Sequence, residues 1–285
     1  MALSPKGRRG FTAGALALTA ALALAACGSE TGTSSGTTGA SASAAAGGAQ
    51  LVQPGKLTVC TNIPYEPFQF KDDSGKIVGF DVDIVDLAAK KLGVTQNIVD
   101  IDFAVIKSGA AMAAKKCDVA AAGMTITPDR QQNIDFSVPY FDATQALLAK
   151  KGTGAASLED VKAKGLKLGA QASTTGLDYV KKAGFDPTEY ADSAKELLAL
   201  QAGQADVIVQ DLPVVLTWLK KPEIAEKFEM IASLDTGEQY GIGLKKNADP
   251  VLLKTINDAI TQAKSDGTYE QIFVKWFGKK PGELG

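Results

Sequence analysis

Ile77-Val78-Gly79-Phe80-Asp81-Val82-Asp83-Ile84-Val85-Asp86-Leu87-Ala88-Ala89-Lys90-Lys91-Leu92-Gly93 contains the change of period on which the fold turns. Ile77 to Phe80 follows the turn Asp72-Asp73-Ser74-Gly75 and reads as extended chain. From Asp81 the apolar spacing becomes helical, with Ile84, Leu87, Ala88 and Lys91 along one stripe. Asp81 and Asp83 sit in the first turn, where acids suit the helix dipole, and Gly93 supplies the left-handed stop. A strand feeding a helix in this way is the unit of an α/β protein.

The same alternation runs outward in both directions. Upstream, Leu57–Thr61 is a compact strand. Downstream come strands at 98–103, 118–122, 167–170, 207–209 and 239–244. Helices are predicted over 105–115, 174–182, 193–201, 213–220, 249–265 and 269–277. Strands that alternate with helices form mostly parallel sheets covered by helices, so two α/β units with a pocket between them are expected. Ligands in such sheets gather beyond the carboxyl ends of the strands. The residues just after each strand are therefore the candidates for a site.

Composition narrows the chemistry. The 285 residues hold 30 basic and 32 acidic side chains and no histidine. The commonest general base and metal ligand is thus missing, and no basic stripe invites a nucleic acid. Cys60 and Cys117 are too few for a thiolate metal site. Read as parallel neighbouring strands, their offset is roughly 10 Å, beyond disulfide reach, so two buried free thiols are expected. No metal and no cofactor are called for.

The first 26 residues run basic (Lys6, Arg8, Arg9), then apolar, then small. That is the pattern of a secretion signal. Leu24-Ala25-Ala26-Cys27 resembles a bacterial lipobox, in which Cys27 becomes the lipidated N-terminus; the route, general or twin-arginine, stays open. Residues 27–50 are nearly all Gly, Ser, Thr, Ala and Gln, a flexible tether with a span of roughly 25 Å.

Several strand-end segments have chemistry suited to a ligand. Asn62-Ile63-Pro64-Tyr65-Glu66-Pro67-Phe68 is a stiff aromatic shelf, whose Tyr65 and Phe68 either pack on a ligand or plug the core. Gly123-Met124-Thr125-Ile126-Thr127-Pro128-Asp129-Arg130 combines a close-approach glycine, hydroxyls and a guanidinium fork matched to carboxylate. The alternative for Arg130 is an ion pair with Asp129 or Asp135. Gln171-Ala172-Ser173-Thr174-Thr175 opens a helix and offers either anion contacts or a plain cap. Asp211, after Val207–Val209, either receives an ammonium group or caps the next helix. Together these cues supply an anion clamp and a cation acceptor, the two ends of a zwitterion.

Five blocks in order resemble the periplasmic polar amino-acid-binding proteins of ABC importers, solute-binding family 3. They are Gly79–Ile84 running into Ala88–Leu92, Ala122–Thr127 with Arg130, Ile134–Tyr140, Ala205–Val207 with Asp211, and Asp266–Tyr269 before Trp276–Gly278. The resemblance implies a two-lobe Venus-flytrap: lobe 1 from residues 51–147 and 241–285, lobe 2 from 148–240, and hinge crossovers near Ala146–Lys151 and Glu238–Gly243. It implies that Arg130, Thr125 and the Thr174 region hold the ligand carboxylate, and that Asp211 and the Gly123 carbonyl hold the ammonium. Tyr65 and Phe103 would sandwich the side chain. The full implied set is Asn62, Tyr65, Phe103, Gly123, Met124, Thr125, Arg130, Gln171, Ser173, Thr174, Thr175 and Asp211.

Asn62 stands where basic-amino-acid binders of this kind carry an acid, and Gln210 precedes Asp211. A polar, glutamine-like ligand is therefore favoured over a basic one. The implied partners are a free amino acid and membrane permease subunits, with the chain a monomer anchored on the extracytoplasmic face. The alternative is an exported enzyme of dehydratase type, for which Glu66 is the acid left without a binding duty.

Overall fold

The computed structural model describes Gly48–Leu284; the signal, Cys27 and most of the tether lie outside the described residues. The described chain forms two five-stranded sheets and a small hairpin. The first part runs β1 (Lys56–Thr61), β2 (Phe70–Lys71), β3 (Ile77–Val78), α1 (Phe80–Leu92), β4 (Thr95–Asp100), α2 (Phe103–Lys107), α3 (Ala110–Ala113), β5 (Val119–Ala120), α4 (Pro128–Gln131) and β6 (Ile134–Phe136). The middle runs β7 (Phe141–Lys150), α5 (Leu158–Ala163), β8 (Leu168–Gln171), α6 (Thr175–Lys182), β9 (Thr188–Tyr190), α7 (Ser193–Gln201), β10 (Val207–Asp211), α8 (Leu212–Trp218), α9 (Pro222–Ala225) and β11 (Phe228–Tyr240). β12 (Gly243–Lys245), α10 (Pro250–Asp266) and α11 (Thr268–Phe277) close the fold.

The first sheet has the order β4-β1-β5-β12-β6, and the second β11-β7-β10-β8-β9. Each is mostly parallel as expected, with four strands running one way and a single strand, β12 in the first and β7 in the second, running against them. β1 pairs parallel with β4 and β5, whereas β12 runs antiparallel to β5 and β6. In the second sheet β10–β8 and β8–β9 are parallel, and β7 is antiparallel to both β10 and β11. The antiparallel members are the segments that enter or leave a crossover, where the chain turns back on itself. Reading by βαβ alternation does not see them.

The helix that opened the sequence reading forms as its pattern requires. α1 buries Phe80, Ile84, Val85, Ala88 and Leu92, and Gly93 ends it at φ 70°. α1 packs against α10 and α11, with Phe80 edge-on to Phe277 at 5.1 Å and to Phe273 at 5.8 Å. Burying the four larger of these, Phe80, Ile84, Val85 and Leu92, stabilises this layer by about 1.5–3 kcal/mol each.

Several expectations need correction. The strand read to Phe103 stops at Asp100, because the Asp102 carboxylate accepts from Ala104 N and starts α2 at Phe103. The helix read over 105–115 breaks at Gly109 (φ 79°) into α2 and α3. There a Cβ would meet the Asn133 carbonyl at 2.8 Å. The single strand read over 239–244 is two, since β11 ends in one sheet and β12 begins in the other. Likewise Ala146–Lys150 is the C-terminal half of β7, and the first passage between the sheets occurs between Phe136 and Phe141.

Cys60 and Cys117 are joined in a disulfide with Cα atoms 5.6 Å apart, not free thiols. An offset of roughly 10 Å holds for a chain that stays extended from Cys117 into the strand. Cys117 does precede β5, but the chain bends at Asp118, whose carboxylate accepts from Val52 N and Thr58 N. The bend folds Cys117 back over β1. The bridge lies in a satellite core with Phe103, Ile106, Met112, Met124 and Ile134.

Candidate functional site

The carboxyl ends of β1, β5, β8 and β10 converge on one cleft, as open α/β sheets dispose them. It encloses about 360 Å3, its open mouth included. The first sheet contributes Asn62, Tyr65, Gln69, Phe103, Ala122, Gly123, Thr125 and Arg130. The second contributes Gln171, Thr174, Thr175 and Asp211.

Arg130 is 6 % exposed, on the one-turn helix α4 that Thr127 caps by accepting from Arg130 N. Its Nη1 donates to Thr125 O at 2.8 Å and Nη2 to Ser173 O at 3.3 Å, and the guanidinium lies 5.5 Å from the Phe103 ring centre. The ion pairs considered for it do not form, since Asp135 pairs with Lys246 at 3.1 Å. Burial lowers the Arg130 pKa, and Glu238, Asp178 and Asp211 oppose that shift. Arginine remains cationic under such a shift. With two of its five N–H groups assigned to carbonyls, the fork keeps donors for an anion.

Asp211 faces it from the end of β10. The acid occupies the N-cap position of α8 but makes no capping bond. Its carboxylate instead accepts from Tyr65 OH, Tyr240 OH and Gln145 Nε2. Burial raises its pKa, and the three hydrogen bonds pull the other way. Tyr65 reaches it from the first sheet, its hydroxyl oxygen also lying 2.9 Å from Gln210 Oε1. Behind it the Gln210 amide donates to Glu196 at 2.8 Å. Glu196 is fully buried, and burial holds its carboxyl well above the usual range.

Gly123 shows why this position has no side chain. Its φ is 54°, a Cβ there would lie 2.8 Å from Tyr65 Cε1, and its N–H donates to the buried Asp81 carboxylate at 2.8 Å. Asp81 also accepts from Tyr140 OH at 2.7 Å, and burial raises its pKa to about 6. The segment beyond Gly123 is stitched to the second crossover. Ile126 N donates to Gln239 O at 2.8 Å, Gly241 N to Met124 O at 3.1 Å, and Thr125 bridges to Tyr240. A Cβ on Gly241 would meet Ile126 at 2.9 Å, and one on Gly243 would meet Met124 at 2.6 Å.

Ten of the twelve residues read from the sequence therefore line one cleft, and Met124 and Ser173 do not. Met124 is wholly buried in the satellite core. Ser173 (φ 70°) presents its carbonyl to Arg130. Thr174 is both a cap, accepting from Leu177 N at 3.1 Å, and a lining residue. Phe68 is a core plug, 5.0 Å from Phe141. Gln69, Gln145, Glu238 and Tyr240 escaped the sequence reading because none directly follows a strand of the βαβ pattern. Glu238 accepts from Thr175 at 3.0 Å and Gln145 at 3.3 Å, behind the lining.

Further contacts join the two walls. Ser193 Oγ donates to Pro64 O at 2.7 Å, and Lys221 pairs with Glu66 at 3.2 Å. Among the described residues no cluster suited to a metal ion occurs, and no helix is long and apolar enough to cross a membrane.

The profile described as bacterial extracellular solute-binding proteins, family 3, matches residues 57–279. A probable histidine-binding protein of Neisseria gonorrhoeae is 34 % identical over 283 residues, covering 96 % of this chain and 97 % of its own. Among solved structures, an ancestral arginine-binding protein bound to glutamine is 40 % identical, with a TM-score of 0.73, over 80 % of this chain and 100 % of that one. An ancestral amino acid-binding protein, a precursor of cyclohexadienyl dehydratase, is 33 % identical with a TM-score of 0.70, over 78 % of this chain and 95 % of its own.

Proposed function

The chain belongs to the bacterial extracellular solute-binding proteins of family 3, and from that premise we propose that it captures a free polar amino acid, glutamine-like, for an ABC importer. One observation carries the reading. A buried guanidinium on the first wall and a buried carboxylate on the second face the same cleft, so a zwitterion satisfies both at once. Arg130, with the hydroxyls of Thr125, Thr174 and Thr175, takes the α-carboxylate. Asp211 takes the α-ammonium, displacing tyrosine hydroxyls that now donate to it. Tyr65 and Phe103 flank the side chain.

Because the two charges belong to different sheets, ligand binding stabilises the arrangement in which the walls meet. The passages before Phe141 and between Tyr240 and Gly243 are the hinge about which they part. In this proposal the chain binds rather than catalyses. The acid left over in the sequence reading, Glu66, is paired with Lys221 at the surface and does not line the cleft. Cys27 lipidation would hold the monomer on the extracytoplasmic face of the membrane, within reach of the permease.

Thermal unfolding against the twenty common amino acids tests this. A ligand at about 100 times its Kd adds about 2.7 kcal/mol, which raises Tm by about 5–10 °C in a protein of this size. One amino acid or a few should produce that rise. If none does, the amino-acid reading is wrong.

A further inference from the structure

Arg130 and Asp211 are the formally charged residues that line the cleft, and the two ends of an amino acid engage both. Selection among side chains then falls to neutral groups. Gln69 is one of these, and it is 1 % exposed. It forms an isolated antiparallel bridge with Tyr65, which sets the two side chains on the same face.

The Gln69 Nε2 donates to the Asn62 carbonyl at 3.2 Å. Only an N–H can face that carbonyl, so the amide's orientation follows from chemistry. Its other end, Oε1, is buried with no hydrogen-bond partner. Of the side chains that carry such an unpartnered buried atom among the described residues, Gln69 is the one that lines the cleft. A buried acceptor left unmatched is costly, and native structures rarely keep one without a use. The neighbouring Asn62 spends its Nδ2 on Ile101 O at 3.1 Å, leaving Oδ1 as its acceptor end.

We infer that Gln69 Oε1 is the specificity-determining acceptor of the cleft, selecting amino acids whose neutral side chain ends in an N–H donor, a carboxamide above all. A side-chain carboxylate would bring oxygen against oxygen there. A cationic side chain would find no acid among the lining residues beyond Asp211, which the α-ammonium occupies. The inference rests on the amino-acid reading of the cleft and adds the atom that chooses among amino acids.

Calorimetric titration of the full chain with L-glutamine, L-glutamate and L-norleucine, before and after Gln69→Met, tests it. Glutamine should bind the parent at least about a hundredfold more tightly than glutamate. Gln69→Met should weaken glutamine about tenfold or more and leave norleucine, which has no N–H to offer, within about twofold. Equal loss for both ligands would mean that Gln69 only supports the shelf, and an unchanged glutamine affinity would mean that it reads nothing. Either result overturns the inference while leaving the amino-acid reading intact. Absence of binding by these three and by every other common amino acid overturns both. Gln69→Asn, which retracts the amide by one methylene, carries the same comparison if Gln69→Met does not fold.

Discussion

The two walls of the cleft are held in different ways. On the first, Arg130 is fixed by the Thr125 carbonyl, Gly123 by the Asp81 carboxylate, and the Cys60–Cys117 bridge lies in the small core behind. On the second, Asp211 rests in a network of side chains, Tyr65, Gln145, Gln210, Tyr240 and, further back, Glu196. The two buried acids sharpen the contrast. Asp81 has a backbone N–H and one hydroxyl as donors, and it supports the wall. Asp211 has three side-chain donors, two of them hydroxyls that an ammonium can replace. A backbone-held wall is a template, whereas a side-chain-held wall can exchange partners.

The largest expected effect tests that exchange. Asp211→Ala removes the cation acceptor and leaves a zwitterion's buried ammonium unpaired, at a cost of about 3–5 kcal/mol. Affinity should fall by about two to four powers of ten in calorimetry, while circular dichroism stays that of the folded parent. Binding within about tenfold of the parent would dissolve the distinction between the walls.

The disulfide tests the template. It closes a loop of 57 residues, for which chain entropy gives about 4 kcal/mol. The double variant Cys60→Ala, Cys117→Ala should lose about 2–4 kcal/mol in urea unfolding, and the parent in dithiothreitol should move toward it. A variant as stable as the parent would show that the first wall stands on its hydrogen bonds alone.

Asp81 gives a smaller, pH-dependent effect. Its folded pKa of about 6 lies above the ordinary 3.8, so folding favours the protonated acid. The stabilisation is complete below pH 3.8 and is lost as pH rises through 6. Asp81→Asn can accept from Gly123 N and donate to Tyr140 without titrating. Parent stability measured against that variant should therefore rise by about 1 kcal/mol from pH 7 to pH 5. A pH-independent difference would exclude Asp81 as the source. Smallest of all is the exposed pair Lys221–Glu66 between the walls. Lys221→Ala should weaken ligand binding less than about fivefold, and high salt should erase the difference.

How much of this the sequence disclosed depends on whether the cause is local. α1 was legible because its stripe, its acids in the first turn and Gly93 all lie within one stretch. Arg130 and Asp211 were legible because each follows a strand whose end must face the other unit. The disulfide was not, since it depends on a bend that Asp118 makes through distant amides. Gln69 was missed because a glutamine after an aromatic carries no mark of its own. Its meaning comes from the Tyr65 bridge and from an oxygen that nothing answers. β7 reads from the sequence only as a crossover, and β11 as a strand only in its last two residues, because antiparallel pairing leaves no βαβ signature.

The flush passage of Gly241 and Gly243 beside Ile126 and Met124 bears on any attempt to evolve the protein toward a new cargo. Variant libraries are commonly drawn around the residues a ligand touches. Here a methyl group at Gly241, which does not line the cleft, would crowd the Ile126 and Phe136 side chains and press on the segment that carries Thr125 and Arg130, whereas at Gly243 it would meet the flexible end of Met124. Affinity is thus heritable at a site with no contact to the cargo, and a library confined to the lining would leave that part of the sequence space unsampled.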